Sequence, residues 1–142
     1  MSITKFEIKS IDAERFSTSG KPMKNVRIDH NSSVKKIKQV TKDSFDVYFR
    51  FTASYSSLGR IELEGSLELK DAPSDLAKKW RENNEMPKEI ANKIHSTIIQ
   101  NCIPQSVLIS REIKLPPPIP LPKVNLQDKG KKKKPTRGME VA

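Results

Sequence analysis

The chain carries a single cysteine, Cys102, in 142 residues. No intrachain disulfide can form, and that usage fits a reducing compartment. The first ten residues, MSITKFEIKS, hold no apolar run, which argues against a secretory leader. The longest apolar runs fall far short of the ~20 residues that span a bilayer. The expectation is a cytoplasmic protein with no membrane insertion. Catalytic equipment is missing as well. His30 and His95 have no neighbours at metal-ligand spacing apart from Asp29, and there is no glycine-rich phosphate loop or nucleophile motif. These absences predict a protein that is not an enzyme and takes no cofactor.

Positive charge is plentiful. The net charge is +10, and Lys129, Lys131, Lys132, Lys133, Lys134 and Arg137 stand against only Asp128 and Glu140 near the C-terminus. Four of the ten charges therefore sit in a low-complexity basic tail over 127–142, expected to be disordered and dispensable for folding, and six are spread over the rest. Such a balance favours anionic partners, RNA or the ribosome among them, and serves equally as a solubility device.

Apolar residues, 35% of the chain, concentrate in its middle. Phe45, Val47, Phe49, Phe51, Ala53 and Tyr55 occupy alternate positions, with polar residues between them and Tyr48 as the one exception. After a turn at Ser56–Gly59, Ile61, Leu63, Leu67 and Leu69 alternate with Glu62, Glu64 and Glu68. Period two on both sides of a short glycine-bearing turn predicts an antiparallel hairpin with one dry face. Alternation puts the three glutamates on its solvent face, where they form a candidate docking patch for a basic partner. Upstream, Phe6, Ile8 and Ile11 form an extended segment whose slip from even to odd positions suggests a bulge. A polar loop follows at 17–22, Val26 and Ile28 read as a second strand, and His30–Ser33 reads as its break or bend. Val34, Ile37 and Val40 follow at irregular spacing.

A lone hairpin is unstable, so its apolar face needs a cover. The second half supplies one. Ser74 or Asp75 is placed to cap a helix beginning at Leu76 that carries Trp80, and Pro87 opens a stronger one with Ile90, Ala91, Ile94, Ile98 and Cys102 on one stripe. Pro104 kinks or restarts it. Val107, Leu108, Ile109, Ile113 and Leu115 are apolar nearly all round, which predicts burial against another subunit and hence a homo-oligomer, dimer or tetramer. Pro116–Pro122 forms a stiff extended segment. The element pattern is α+β.

In order, these segments resemble the SecB family of protein-export chaperones. FEIKSIDAERF, VRIDHNSS and DSFDVYFRFTASYSSLGRIELEGSLELKD are similar to its sheet half, with an aromatic-rich strand running through a Leu-Gly turn into an acidic strand. NCIPQSVLISREIKL and PPPIPLPKVNL are similar to its helical half, where Cys102 and Pro104 resemble the family's cysteine–proline junction with one residue inserted. The resemblance covers residues 3 to 126. It implies a SecB-like domain over 1–126 with a small four-stranded antiparallel sheet followed by C-terminal helices. It also implies an ATP-independent holdase for unfolded or nascent polypeptides, with protein export as one setting. Val26 and Ile28 then line a client groove, and Leu115, Ile119, Leu121, Val124 and Leu126 supply its opposite wall. Typical bacterial members are acidic, carry a long C-terminal helix and end in a tail that contacts the ATPase SecA. Here the chain is basic, the helix shrinks to Lys123–Leu126, and the tail is a lysine run, which favours a general or single-client holdase over SecA docking. The competing reading is a small basic RNA- or ribosome-binding protein. Against it, aromatics are only 6% of the chain and the strand aromatics face the core, whereas an RNA-reading sheet exposes aromatics among basic residues.

Overall fold

A computed structural model of the chain describes residues 1–16 and 26–119. The predicted loop at 17–22, the sites Leu121, Val124 and Leu126, and the basic tail lie outside the described residues. Four strands, β1 (Ser2–Arg15), β2 (Asp29–Gln39), β3 (Ser44–Ser54) and β4 (Gly59–Lys70), precede two helices, α1 (Leu76–Asn83) and α2 (Lys88–Glu112). The strands form one antiparallel sheet in the order β1-β4-β3-β2.

The predicted hairpin is β3–β4. Phe51 stands opposite Leu63 and Val47 opposite Leu67. The odd positions of β3 are fully buried, and their β4 partners Ile61, Leu63, Leu67 and Leu69 are nearly so. α1 lies on β2 and α2 crosses β2, β3 and β4, which leaves the core side of β1 the least covered. Ile11 faces that side, opposite buried Leu63, yet is 59% exposed.

Both edge strands are bulged. The register of β1 against β4 shifts between Ile8 and Ser10, which is where the slip in hydrophobic phase falls. A second shift in β1 lies between Thr4 and Glu7, around Lys5 at φ 53°. In β2 the shift lies between Val34 and Lys36. Lys35 is thus an extra residue, and the core-facing set runs His30, Ser32, Val34, then Ile37 and Gln39.

Two sequence expectations need correction. Val26 and Ile28 precede β2 rather than forming it, and His30–Ser33 is the first part of the strand, not a break. The polar side chains are held by distant partners: His30 Nε2 lies 2.7 Å from the Pro118 carbonyl oxygen, and Ser32 Oγ lies 2.8 Å from His95 Nδ1. Nor does Pro104 restart the helix. α2 runs 25 residues through it, about 37 Å at ~1.5 Å per residue. Proline deprives the Gln100 carbonyl of its intrahelical donor. Both residues are exposed, so that oxygen lies on the solvent side of the helix, where losing the donor costs least.

The buried stripe of α2 is Ile90, Ile94, Ile98 and Cys102, continued by Ser106 and Ser110. Burial pushes the Cys102 thiol up to about 12, so it is a packing residue and not a nucleophile at neutral pH. Asp75 occupies the N-cap of α1 without a capping hydrogen bond and pairs instead with Lys79, at 3.2 Å.

Candidate binding surface

Three segments converge at the end of the sheet where β3 turns into β4. Residues 26–28 approach the turn, with Ser56 Oγ donating to the Arg27 carbonyl at 3.3 Å. The chain leaving α2 is fixed there in two places: Arg15 Nε donates to the Ile113 carbonyl at 2.8 Å, and the Tyr55 hydroxyl donates to the Pro116 carbonyl at 2.6 Å. With the contact of His30 to Pro118, these bonds lay residues 113–118 across β1, β3 and β2 as a strap. Of the groove residues expected from sequence, Val26 and Ile28 are half-buried against the core, and Ile119, next after the strap, is 49% exposed. Leu115 is 5% exposed and packs beside Gly59, so it supports this surface from beneath.

Burial raises the Tyr55 hydroxyl to about 12, with nearby Ser110 pulling slightly the other way. The unfolded chain loses this proton near pH 10 and the folded chain near pH 12. Stability from the neutral phenol is therefore complete below pH 10 and declines from pH 10 to 12. Tyr55→Phe should lower stability by about 1 kcal/mol at neutral pH through the lost hydrogen bond. Relative to the native chain it should lose the Tyr55 share of the alkaline decline. Parallel melting curves from pH 8 to 12 check this; two curves of identical pH dependence would refute the buried strap contact.

Sequence reasoning put Ala91 on the buried stripe, where it does not lie, and missed the mostly apolar row on α2 that it begins. Ala91, His95, Ile99 and Ile103 recur every four residues, one position on from the buried stripe, and so share a flank. The contact of His95 with Ser32 turns this flank toward β2. Ile99 is 39% exposed and Ile103 half-buried. At the start of the row, between α1 and α2, lies a hollow of about 640 Å³ lined by Trp80, Met86, Pro87, Ala91 and His95 among others. The doubled spacing, Ile94–Ile98–Cys102 beside Ile99–Ile103, was the available signal.

The glutamates lie on the outer sheet face but are engaged internally. Glu64 accepts from Arg50 Nε at 2.7 Å and Lys35 Nζ at 3.0 Å, and Arg50 also lies 3.4 Å from Glu62. The hydrogen bond from Arg50, then that from Lys35, holds the Glu64 carboxyl below its usual range. Glu68 accepts from Thr4 Oγ1 at 2.9 Å and lies 3.8 Å from both Lys5 and Lys70. These carboxylates are neutralised within the chain, so a basic partner would have to displace existing bonds.

Among the described residues no three His, Cys, Asp or Glu side chains gather as metal ligands, and no helix is long and apolar enough to cross a membrane. No protein-family model matches the chain, and no curated protein does. Among solved structures, the SecB-like chaperone Rv1957 of Mycobacterium tuberculosis, in complex with a ChAD peptide from the Rv1956 HigA1 antitoxin, superposes with a TM-score of 0.51. The two are 12% identical, and the match covers 82% of this chain and 85% of that one. A four-stranded antiparallel sheet followed by two helices matches that structure, and the chain therefore has the α+β fold of a SecB-like chaperone.

Proposed function

We propose that the chain is an ATP-independent holdase that captures unfolded polypeptide segments, without chemistry, on the β2-facing flank of α2 and the adjoining end of the sheet. The observation that carries this reading is the run of accessible apolar side chains there, Trp80, Met86, Ile99, Ile103 and Ile119, beside a hollow and on a fully formed core. An apolar segment docking on it gains roughly 25 cal/mol per Å² removed from water, offset by the cost of ordering the client. Several shallow contacts of this kind give broad, reversible binding. The peptide held by the similarly folded Rv1957 supports a polypeptide ligand. Elsewhere on α2, Leu108 is 55% exposed, and we assign it to contact with a second copy of the chain in a cytoplasmic homo-oligomer.

The test is suppression of aggregation of a chemically unfolded model protein, with and without ATP. Light scattering on the same preparation reports the assembly. Suppression near stoichiometric amounts, indifferent to nucleotide, from a particle larger than one chain is the expected result. Aggregation that proceeds unchanged in a tenfold excess of the protein would overturn the reading.

A further inference from the structure

The outer face of the sheet carries a feature that polypeptide capture does not use. The two edge bulges fall at the same level. Lys9 is the extra residue of β1, beside Gly65; Lys35 is the extra residue of β2, beside Phe49 and Tyr48; and Gly65 pairs with Phe49. A bulge lets consecutive side chains share a face. Lys35 and Lys36 both reach the outer side, one to Glu64 and the other over Tyr48. Lys9 Nζ lies 5.3 Å from the centre of the Tyr48 ring and Lys36 Nζ 5.8 Å, although they come from opposite edges of the sheet. Gly65 makes the curl possible, because a Cβ there would run into the Glu7 carbonyl. The result is a trough of about 570 Å³ lined by Lys9, Ser10, Lys35, Lys36, Lys38 and Tyr48, among others.

Within it, Lys35 is taken by Glu64, and Lys9 makes only a 4.0 Å approach to Glu7. Lys36 and Lys38 have no carboxylate partner among the described residues. Tyr48 is half-buried with cations over its ring, and among the described residues it is the one strand aromatic on the polar side. A positively charged groove with an aromatic floor is the combination that holds a single nucleic-acid strand, phosphates on the cations and a base on the ring. We propose that this trough binds single-stranded nucleic acid, a base displacing the ammonium groups from the Tyr48 ring to stack there while Lys9 and Lys36, with Lys38, turn to its phosphates. An acidic peptide would gain the ammonium groups but not the stacking. The trough spans three strand separations, ~14 Å, enough for a few nucleotides.

The experiment uses the full chain and a fluorescent 12-nucleotide oligothymidylate, read by anisotropy at 50 and 200 mM salt, with polyglutamate as competitor. Lys9→Gln with Lys36→Gln should weaken binding about tenfold at low salt and flatten the salt slope by about 1.4, two contacts at ~0.7 each. Tyr48→Ala should weaken binding about tenfold at unchanged slope, and Tyr48→Phe should bind like the native chain. Melting curves identify any variant that has lost its fold, and the lysine and Tyr48→Phe variants, which alter only side-chain ends, keep the test decisive. Unaltered binding in the lysine pair would move the contact elsewhere in the chain, such as the lysine run at 131–134, and overturn the proposal. So would equal displacement by polyglutamate, or absence of oligonucleotide binding at 50 mM salt. Aggregation suppression should be the same in all these variants.

Discussion

Phe49→Ala should cost ~3–5 kcal/mol of folding free energy, a large part of the ~5–15 kcal/mol that holds a domain together. The ring is fully buried, faces Gly65 on β4 and Val34 on β2, and stacks on Phe6 at 5.0 Å between centroids and 21° between planes. Gly65 contributes no side chain, so nothing on β4 can move in to fill the space. A Cβ at this position is barred by the Glu7 carbonyl. β1, the strand least covered by helix, also loses the stack with Phe6 that joins it to the core. Urea unfolding should show a much lower midpoint at an unchanged slope. A loss under about 1 kcal/mol would mean that the core collapses around the gap and that Phe49 is not its centre.

What could be read from the sequence follows the regularity of each element. β3 and β4 are unbroken strands in the middle of the sheet, so Phe45 to Ala53 and Ile61 to Leu69 display period two. The edge strands do not, because each extra residue flips the phase. The β1 slip is visible from Ile8 to Ile11. In β2 the first core-facing residues are His30 and Ser32, whose partners, Pro118 and His95, lie 88 and 63 positions away. Without those partners the segment resembles a loop, and the strand is drawn too early, at Val26 and Ile28. Pro104 does not restart α2 for a similar reason: its cost depends on whether the freed carbonyl is dry, and here it lies on the exposed side of the helix. Ile99 and Ile103 were legible as apolar but not as accessible, since accessibility is set by where α2 sits on the sheet. Tyr48 stands out in the sequence only as a break in alternation. Its pairing with Lys9 from the far edge arises from two bulges and a glycine whose joint level is a matter of register.

Ile99→Ser combined with Ile119→Ser should weaken client capture by ~1–4 kcal/mol, the range for truncating two anchors at a desolvated contact. The same pair should cost folding much less. Full burial of an isoleucine is worth roughly 1.5–3 kcal/mol, and these two keep 39% and 49% of their surface in water, so each loses only part of that. Leu115→Ala is the opposing control. Leu115 is the strap residue whose side chain is buried beside Gly59, so its truncation should cost ~2–5 kcal/mol of stability. Its remaining folded fraction should capture client as well as the native chain does. Unfolding and capture measured on one preparation of each variant separate the two effects. Loss of capture at nearly native stability in the serine pair identifies the α2 flank and the strap end as the surface that clients touch. A serine pair that unfolds easily while its folded fraction still captures client at native strength would show that these side chains only seal the core, and would send the search for the client surface to the uncovered side of β1 around Ile11.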